Sequence, residues 1–425
     1  MLWTLRLLSV ALCGLVAAHG APAPDAVSLL GADGDGVRYW PRWRGPSGQG
    51  QVAGTDYTDT WSSKDHIKWR VPVAGVGHSS PIVWNDHVFL TTAQQDGARM
   101  SMLAFRRSDG ARLWETVVPS TGVEHIYEKN SQASATATTD GERVYASFGT
   151  HGVAAFDFSG KLVWHVKLGD LSNYHGSAGS PVLYKDRLFL YQDHDGTQSL
   201  KSFVAAFDAK TGKTLWKKDR VESVGWGTPI VIRAGDRDEL VVSSQRRVRA
   251  YDPATGDELW TVRGNTFEVI PTPVVGHGLV FCSSGRAGPT FAIKPGGSGD
   301  VTASHVAWSS PKGSPFVPSG LIHGDLLYLV HDIQSIPTAY EAKTGVVVYQ
   351  NRLGEPVKEG FSSSPVAVGD KLFFTNDEGQ TFVVEAGRTF KLLHMNSLDA
   401  RVLASPALVD GTWYWRTDRE LIAIR

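Results

Sequence analysis

The sequence has few cysteines and almost no net charge. Both features limit the classes of function and the kinds of stabilising bond that can be expected. Its 425 residues include only two cysteines, Cys13 and Cys282, and 42 lysines or arginines against 43 aspartates or glutamates. A formal net charge of −1 gives no electrostatic reason to expect nucleic acid or an anionic membrane surface as a partner. Because Cys13 lies in a segment predicted to be cleaved, no intrachain disulfide is expected in the mature chain. Cys282 is expected to be a buried small hydrophobe in a strand.

The sequence also lacks an N-terminal hydrophobic run long enough to span a bilayer. The apolar stretch from Leu7 to Ala18 follows the single charge of Arg6 and is followed by small residues. Since this stretch is too short for a membrane span, it predicts a cleaved signal peptide over residues 1–20 and a periplasmic or secreted protein. Lipid attachment at Cys13 is the alternative, although Leu12 stands where a small residue would be expected.

Three catalytic signatures are missing: a complete Gly-x-Ser-x-Gly, a His-Glu-x-x-His and a Cys-x-x-Cys-His. One stretch, Asp193-His194-Asp195-Gly196, resembles the start of a calcium loop, but the alternating ligands and the closing glutamate do not follow. We interpret it as a polar turn. The sequence therefore assigns no catalytic residue and no metal ligand.

What the sequence has in plenty is glycine, with 45 residues, tryptophan, with 14, and an internal repeat. Two stretches, Ala206–Trp216 and Ala250–Trp260, both read Ala-aromatic-Asp-x-x-Thr-Gly-x-x-Leu-Trp. The Asp-x-x-Thr-Gly part predicts a hairpin turn, because aspartate accepts local backbone hydrogen bonds and glycine adopts positive φ. Looser copies follow Ala104, Ala155, Phe291, Ala339 and Val383. The tryptophans in register on the outer strands are predicted to dock neighbouring units: Trp114, Trp164, Trp216, Trp260 and Trp308.

A second marker, a small residue with an apolar strand and usually proline, precedes each copy. The eight markers are Ser80-Pro81, Ala135-Thr136, Ser180-Pro181, Thr228-Pro229, Thr272-Pro273, Val317-Pro318, Ser364-Pro365 and Ser405-Pro406. Four strands in about 45 residues predict an all-β fold, an eight-bladed β-propeller of four-stranded antiparallel blades. Seven blades is the competing count.

The last unit lacks an outer strand, and Ile67–Val71 is predicted to supply it and close the ring. The propeller is expected as a single domain over residues 40–425, after a flexible leader over 21–39.

With these repeats the sequence resembles the PQQ-like (pyrroloquinoline-quinone repeat) β-propellers, whose signature is Ala-x-Asp-x-x-Thr-Gly-x-x-x-Trp. Trp40–Gly50, Lys129-Asn130-Ser131 and Arg416-Thr417 are similar to motifs of a secreted bacterial subgroup of that family. The family contains quinoprotein alcohol and sugar dehydrogenases and also non-enzymatic propellers, such as the scaffold subunit of the outer-membrane β-barrel assembly machinery. The resemblance implies the fold without choosing between these functions, because one fold hosts unrelated activities.

A quinone dehydrogenase would need a deep pocket, Ca²⁺ held by oxygen ligands, a catalytic carboxylate and aromatic surfaces for stacking. The resemblance also implies a vicinal cysteine pair in many of the alcohol dehydrogenases, which Cys13 and Cys282 cannot form. We therefore expect no cofactor, with pyrroloquinoline quinone and calcium as the alternative.

The residues just before the inner strands are the candidates for a binding site, because these connections open onto one face around the central channel. The ligand-binding candidates are His78, Asn130, Gln132, His175, Trp226, Glu268 and Arg401, and Tyr174, Phe316 and Phe361 occupy comparable positions. A purely structural role in the loops is the alternative. We expect a monomeric binding or scaffold module for a protein, glycan or small molecule. The alternative is an alcohol or sugar dehydrogenase that uses pyrroloquinoline quinone and calcium.

Overall fold

Each repeat forms one antiparallel sheet, and the repeated residues explain its shape. The computed structural model describes residues 27–52, 54–119, 122–195, 201–286, 288–311, 313–355 and 360–425. In the turn of the third unit, the Thr211 N–H donates to the Asp208 carboxylate at 2.7 Å, and Gly212 takes a φ of +73°. A β-bulge follows Ala206, and this alanine lies directly opposite Trp216 on the outer strand. The small alanine leaves room for the indole beside it.

Eight such sheets surround a channel, and the strands of each are named from the innermost to the outermost. Blade 1 contains Ile82–Trp84, His87–Gln94, Arg99–Arg106 and Arg112–Val117, and blade 2 contains Thr138–Thr139, Arg143–Ser147, Val153–Asp157 and Leu162–Val166. Blade 3 contains Val182–Tyr184, Arg187–Gln192, Phe203–Asp208 and Thr214–Asp219, and blade 4 contains Ile230–Ala234, Arg237–Ser244, Arg247–Tyr251 and Glu258–Arg263. Blade 5 contains Val274–Gly276, Leu279–Ser283, Thr290–Ile293 and Val306–Ser310, and blade 6 contains Leu321–His323, Leu326–His331, Ile336–Glu341 and Val347–Gln350. Blade 7 contains Val366–Val368, Lys371–Thr375, Gln380–Glu385 and Leu392–Ser397.

Blade 8 closes the ring with strands from both ends of the chain. Its three inner strands are Ala407–Val409, Thr412–Arg416 and Glu420–Ile424, and its outer strand is Ile67–Pro72. Thus the predicted eight-bladed all-β propeller and its closure by the N-terminal strand are confirmed.

Neighbouring blades are docked by tryptophan, as the repeat predicted. Five outer-strand indoles donate to a carbonyl of the next blade's turn at 2.9–3.1 Å: Trp69 to Arg107, Trp114 to Phe158, Trp164 to Ala209, Trp216 to Pro253 and Trp308 to Ala342. Trp260 differs, since its indole donates at 2.7 Å to the Glu239 carboxylate of its own sheet. Blade 5 has no Asp-x-x-Thr-Gly turn to receive it.

The structure corrects the predicted leader. Val27–Leu29 pairs antiparallel with the inner strand of blade 4, and a 3-10 helix follows at Gly34–Arg38. Val27 and Leu29 pack against the apolar core shared by blades 4 and 5. The prediction of a flexible leader over 21–39 is therefore wrong for residues 27–39, because a polar composition hid a short apolar strand that pairs with a free sheet edge. The predicted signal peptide lies outside the described residues.

The remaining elements are short. Gln51–Val52 pairs in parallel with the inner strand of blade 7, and Gly299–Asp300 pairs with the outer strand of blade 4. The other helices are Gln95–Gly97, Gly149–His151 and Thr302–His305. Within the described residues, none of the helices has the length and apolar character needed to cross a membrane. Cys282 is fully buried, and burial raises the pKa of its thiol, as expected for a small core residue.

Candidate functional site: the mouth of the channel

One face of the propeller carries the loops that lead into the inner strands. Because the four strands of a blade alternate in direction, the end of each outer strand and the start of the next inner strand lie on the same side. We call this side the mouth face. It also carries the hairpins between second and third strands, whereas the Asp-x-x-Thr-Gly turns lie on the opposite face.

A closed ring of eight hydrogen bonds surrounds the channel below the mouth. In each blade a serine or threonine hydroxyl accepts the backbone N–H of the equivalent residue in the preceding blade, at 2.8–3.3 Å. We call these residues the hydroxyl ring: Ser80, Thr136, Ser180, Thr228, Thr272, Ser319, Ser364 and Ser405. The ring satisfies a channel-facing amide in every blade and links the eight inner strands.

The ring explains the small-residue marker of the sequence. In six of the eight markers the serine or threonine before proline is the ring residue, and proline has no N–H that would need a partner. In blade 6 the ring residue is Ser319, two positions after Val317, so the predicted marker of that unit is out of register. The hydroxyl is what the position requires, and proline is optional.

Residues 40–51 lie across the other end of the channel, and we call them the floor. Trp40 forms a β-bridge with Val83 of blade 1, and the Gln49 side-chain carbonyl accepts the Val275 N–H of blade 5 at 2.7 Å. These contacts reach the far ends of the inner strands. The motif that resembles the secreted subgroup therefore closes the channel on the side opposite the mouth.

Arg44 fixes the floor to the channel wall. Its guanidinium donates to the carbonyl oxygens of Gly320 at 2.8 Å and Pro365 at 3.2 Å, each next to a hydroxyl-ring residue. The side chain is buried, and burial lowers its pKa to about 9. No carboxylate among the described residues contacts this cation.

A cavity of about 260 Å³ lies between the floor and the mouth. The hydroxyl ring forms its wall, and Trp43 of the floor lines it. Ile270, Val317 and Leu403 add apolar surface, and Trp226 lines it near the mouth. The cavity thus combines hydroxyl groups with an apolar lining.

One side of the mouth carries a small ionic cluster. Glu268 Oε1 lies 3.3 Å from His175 Nε2, and Glu268 Oε2 lies 3.0 Å from Arg286 Nε. The Arg286 guanidinium stacks over Phe316, 4.8 Å from the ring centroid. Glu268 has a φ of +59°, a left-handed conformation that costs a residue with a side chain about 1 kcal/mol or more. Its contacts with His175 and Arg286 hold the carboxylate in this strained position.

Trp226 supports the same cluster from below. Its indole N–H donates to the Gly176 carbonyl at 2.7 Å, and its ring meets the His175 ring edge-on at 5.4 Å between centroids. Tyr127 also packs edge-on against His175, with 5.1 Å between ring centroids. The imidazole is therefore held between aromatic groups and a carboxylate.

A second ion pair joins loops from different blades. Lys129, in the loop that leads to blade 2, lies 2.8 Å from the Asp377 carboxylate of blade 7. Asp377 is buried and also accepts the Ser362 N–H at 2.7 Å. Burial raises the pKa of Asp377, and the nearby lysine opposes this shift. The pair connects distant sectors of the mouth.

A buried cation lies between blades 8 and 1, next to residues that line the cavity. Arg416 is buried and donates to Ser79 Oγ at 2.6 Å and to the Thr91 carbonyl at 2.7 Å. Burial lowers its pKa to about 9, and no carboxylate of the described part of the chain contacts it. His78 lines the cavity beside it, and burial together with nearby cations, Arg416 foremost, lowers the pKa of His78 to about 3.

This neutral histidine makes the fold sensitive to acid. The folded-state pKa of His78 is below its ordinary value of 6.5, so the unfolded chain binds the proton first and stability falls as the pH drops below about 6.5. At pH 5 we expect this group alone to cost about 2 kcal/mol relative to neutral pH. Urea unfolding of the wild type and His78→Gln at both pH values tests this. Equal pH dependence in the two proteins would contradict it.

The structure brings most of the candidates together. His78, Asn130, His175, Trp226, Glu268 and Phe316 all line the cavity. The Asn130 amide, however, already donates to the His175 carbonyl at 2.6 Å and positions that loop. Gln132, Arg401, Tyr174 and Phe361 do not line the cavity.

These four residues have other surroundings. The Gln132 amide donates to the Asp96 carbonyl at 3.2 Å and holds a loop. Phe361 is 1% exposed in the core of blades 6 and 7. The backbone carbonyl of Arg401 accepts the Asp418 N–H at 3.0 Å, and Tyr174 is exposed on the mouth face.

Four residues in or beside the candidate site are missing from the candidates that the sequence predicts: Trp43, Lys129, Arg286 and Arg416. Trp43, Lys129 and Arg416 lie in the motifs that carry the family resemblance, so those motifs could have identified them. Arg286 lies in a hairpin between second and third strands and has no sequence signal.

The residues around the cavity do not suit calcium. Calcium takes six to eight oxygen ligands, whereas Glu268 is the single carboxylate among the described cavity-lining residues, and it is already paired. In the described residues no group of three or more histidine, cysteine, aspartate or glutamate side chains could hold a metal ion. Asp193, from the loop that resembled a calcium site, is buried against Arg220 at 3.3 Å.

Comparison with known proteins gives one family match. The pyrroloquinoline-quinone repeat profile described as outer membrane protein assembly factor BamB matches residues 42–198 and 200–315. Tetrathionate hydrolase of Acidithiobacillus ferrooxidans is 22% identical over 326 residues, which cover 73% of this chain and 52% of that enzyme. Outer membrane protein assembly factor BamB of Burkholderia pseudomallei is 25% identical over 262 residues, which cover 56% of this chain and 62% of that protein. This chain therefore spans less than two thirds of either relative.

Among solved structures, quinohemoprotein alcohol dehydrogenase from Comamonas testosteroni superimposes with a TM-score of 0.59 at 12% identity. The match covers 92% of this chain and 81% of that one. At this identity the similarity shows the propeller fold alone.

Proposed function

Since the chain belongs to the pyrroloquinoline-quinone repeat family of β-propellers described as outer membrane protein assembly factor BamB, we propose that it is a binding module whose mouth face receives a polypeptide partner. After cleavage of residues 1–20 it would act in the periplasm or outside the cell. The similarity to an assembly factor supports this class of function.

The observation that carries the proposal is a set of exposed apolar side chains around the mouth. We call this set the apolar rim: Val123, Tyr127, Tyr174, Val221, Phe267 and Ile333. All six lie in loops or hairpins of the mouth face. Exposed apolar and aromatic groups around a concave site are typical of protein interaction surfaces, where a few such residues supply most of the binding energy.

Photo-crosslinking tests the proposal directly. A photoreactive phenylalanine analogue is placed at Tyr174 or Phe267, and at Val346 as the control, because Val346 is exposed to the same degree as Tyr174, 57% against 58%, but lies on the opposite face. We expect adducts with one polypeptide from the mouth-face positions and none from Val346.

The partner found in this way must then bind as a purified protein. Truncating an aromatic anchor at an interface typically weakens binding about tenfold or more, so Tyr174→Ala with Phe267→Ala should do so and Val346→Ala should not. Equal crosslinking at Val346, or binding that survives loss of both aromatic side chains, would refute the proposal.

The second candidate is a quinone-dependent dehydrogenase, favoured by the fold shared with the quinohemoprotein enzyme. The donor set around the cavity argues against a calcium-supported quinone there, since Glu268 is engaged by His175 and Arg286. Stoichiometric uptake of pyrroloquinoline quinone with calcium, together with dye-linked alcohol oxidation, would establish this function instead.

A further inference from the structure

The hydroxyl ring leaves hydrogen-bond donors unused. Each of its eight hydroxyl groups accepts one backbone N–H, and within the described ranges none donates to a protein atom. A serine or threonine hydroxyl can donate one bond while it accepts others. Eight O–H groups at the wall of the cavity are therefore available to a ligand with acceptor atoms.

The charges around the ring are unevenly distributed. Arg416 donates to Ser79, the neighbour of Ser80, and Arg44 donates to the carbonyls that follow Ser319 and Ser364. Both guanidinium groups are buried, and no carboxylate of the described residues contacts either. The arc from Ser319 through Ser364 and Ser405 to Ser80 therefore lies between two uncompensated buried cations. A buried cation attracts an anion strongly, because little solvent screens it.

The opposite arc has a different character. It runs through Thr136, Ser180, Thr228 and Thr272, and on its side of the mouth stands the Glu268 carboxylate. Arg286 already pairs with this carboxylate, so an anion in the cavity is attracted mainly to the arc whose two guanidinium groups have no carboxylate partner among the described residues. His78, which remains neutral beside Arg416, adds a polar group at the same end of the cavity.

From these contacts we infer that the cavity binds a small organic oxyanion, with its carboxylate or sulfonate group at Ser405 and Ser80 and its apolar body against Trp43, Ile270 and Val317. The volume of about 260 Å³ suits one substituted aromatic ring, since a cavity of about 150 Å³ holds benzene. The cavity lies beneath the apolar rim, and Tyr127 borders both, so the oxyanion and the polypeptide partner would occupy adjoining sites.

Calorimetry with benzoate, benzenesulfonate and benzamide, in buffer free of other oxyanions, tests the inference on the wild-type protein. Benzamide keeps the ring and loses the charge. We expect benzoate or benzenesulfonate to bind at least about tenfold more tightly than benzamide, because hydrogen bonds to a charged group are the stronger ones. Equal affinity for the neutral amide, or no binding by any of the three, would overturn the inference.

Two matched variants locate the anionic group. Ser405→Ala and Ser180→Ala each remove one ring hydroxyl that accepts a backbone N–H, at 2.9 and 3.0 Å, so their structural losses are comparable. Ser405→Ala alone lies in the cationic arc. We expect it to weaken benzoate binding about tenfold and Ser180→Ala to weaken it less than threefold. Equal effects of the two would overturn the assignment, and the wild-type comparison remains decisive if a variant fails to fold.

Two further comparisons identify the source of the oxyanion and distinguish its binding site from the apolar rim. N-acetylphenylalanine carries the carboxylate of a chain terminus, so tighter binding of it than of benzoate identifies a polypeptide end as the source of the oxyanion. Tyr174→Ala with Phe267→Ala removes part of the apolar rim and should leave benzoate binding unchanged. Failure of the partner experiment and failure of the anion experiment can therefore be distinguished.

Discussion

We expect a chain that begins at residue 73 to lose the stable propeller fold, and a chain that begins at residue 54 to keep it with reduced stability because it lacks the buried Trp40. The first lacks the strand Ile67–Pro72, which pairs with Glu420–Ile424 and completes blade 8. It also lacks Trp69, whose indole donates to blade 1 across the junction, and Trp61, which packs among aromatic residues of blades 7 and 8. Removing a buried tryptophan side chain costs about 3–5 kcal/mol, so the two together match the net stability of a typical domain.

Thermal unfolding followed by near-ultraviolet circular dichroism measures this difference. The chain from residue 54 lacks the floor but keeps the closing strand, so it separates the two contributions. A synthetic peptide of residues 54–72 added to the shorter chain should restore a cooperative transition, and the same residues in scrambled order should not. Similar cooperative transitions in both truncated chains would show that ring closure contributes little.

The second large effect we expect is that Gly256→Ala destabilises the fold by about 2–5 kcal/mol. Gly256 has a φ of +76°, and a Cβ there would lie 2.5 Å from the Trp216 ring of blade 3. The left-handed backbone alone costs alanine about 1–2 kcal/mol. Overpacking of a filled contact adds about 1–3 kcal/mol, because the indole could move away only by disturbing its hydrogen bond to the Pro253 carbonyl.

Gly278→Ala is the matched control in urea unfolding. Gly278 has nearly the same φ, +77°, but a Cβ there meets no atom within 4 Å. It should cost only the backbone term, about 1–2 kcal/mol. In a Trp216→Ala background the loss of unfolding free energy caused by Gly256→Ala should fall to the same small value, since a double-mutant cycle isolates the contact between the two residues. If the two glycine variants lost equal free energy of unfolding in the wild-type background, the contact between blades would not be the cause of the larger loss expected for Gly256→Ala.

The sequence predicted the fold well because the same physical problem recurs in every blade. Alanine opposite tryptophan, glycine under the neighbouring indole and a hydroxyl at the channel wall each leave a mark at a fixed spacing. Periodic marks of this kind give the number of blades and the closing strand.

The sequence did not predict features whose contacts occur only once in the ring. The pattern favours Val317 over Ser319 because proline follows Val317, and it misses Val27–Leu29 because a three-residue strand has no periodicity.

The candidate site was less predictable for the same reason. Position before an inner strand placed His78, His175, Trp226 and Glu268 on the mouth face, but the same rule also selected Gln132, which holds a loop together. Whether a loop side chain turns to the channel or into the loop depends on partners from other blades. Such partners are distant in the chain and leave no pattern around the residue.

The sequence by itself determined an eight-fold ring of four-stranded blades closed by its own N-terminal strand, because repeated local patterns specify repeated local contacts. Only the tertiary structure decided that Trp40–Gln51 forms a floor, that eight hydroxyl groups form a ring, and that Arg44 and Arg416 are buried beside it without carboxylate partners among the described residues. Closing the ring brings residues more than 300 positions apart into contact, as when the Ser405 N–H donates to the Ser80 hydroxyl. The electrostatic character of the cavity arises from those contacts.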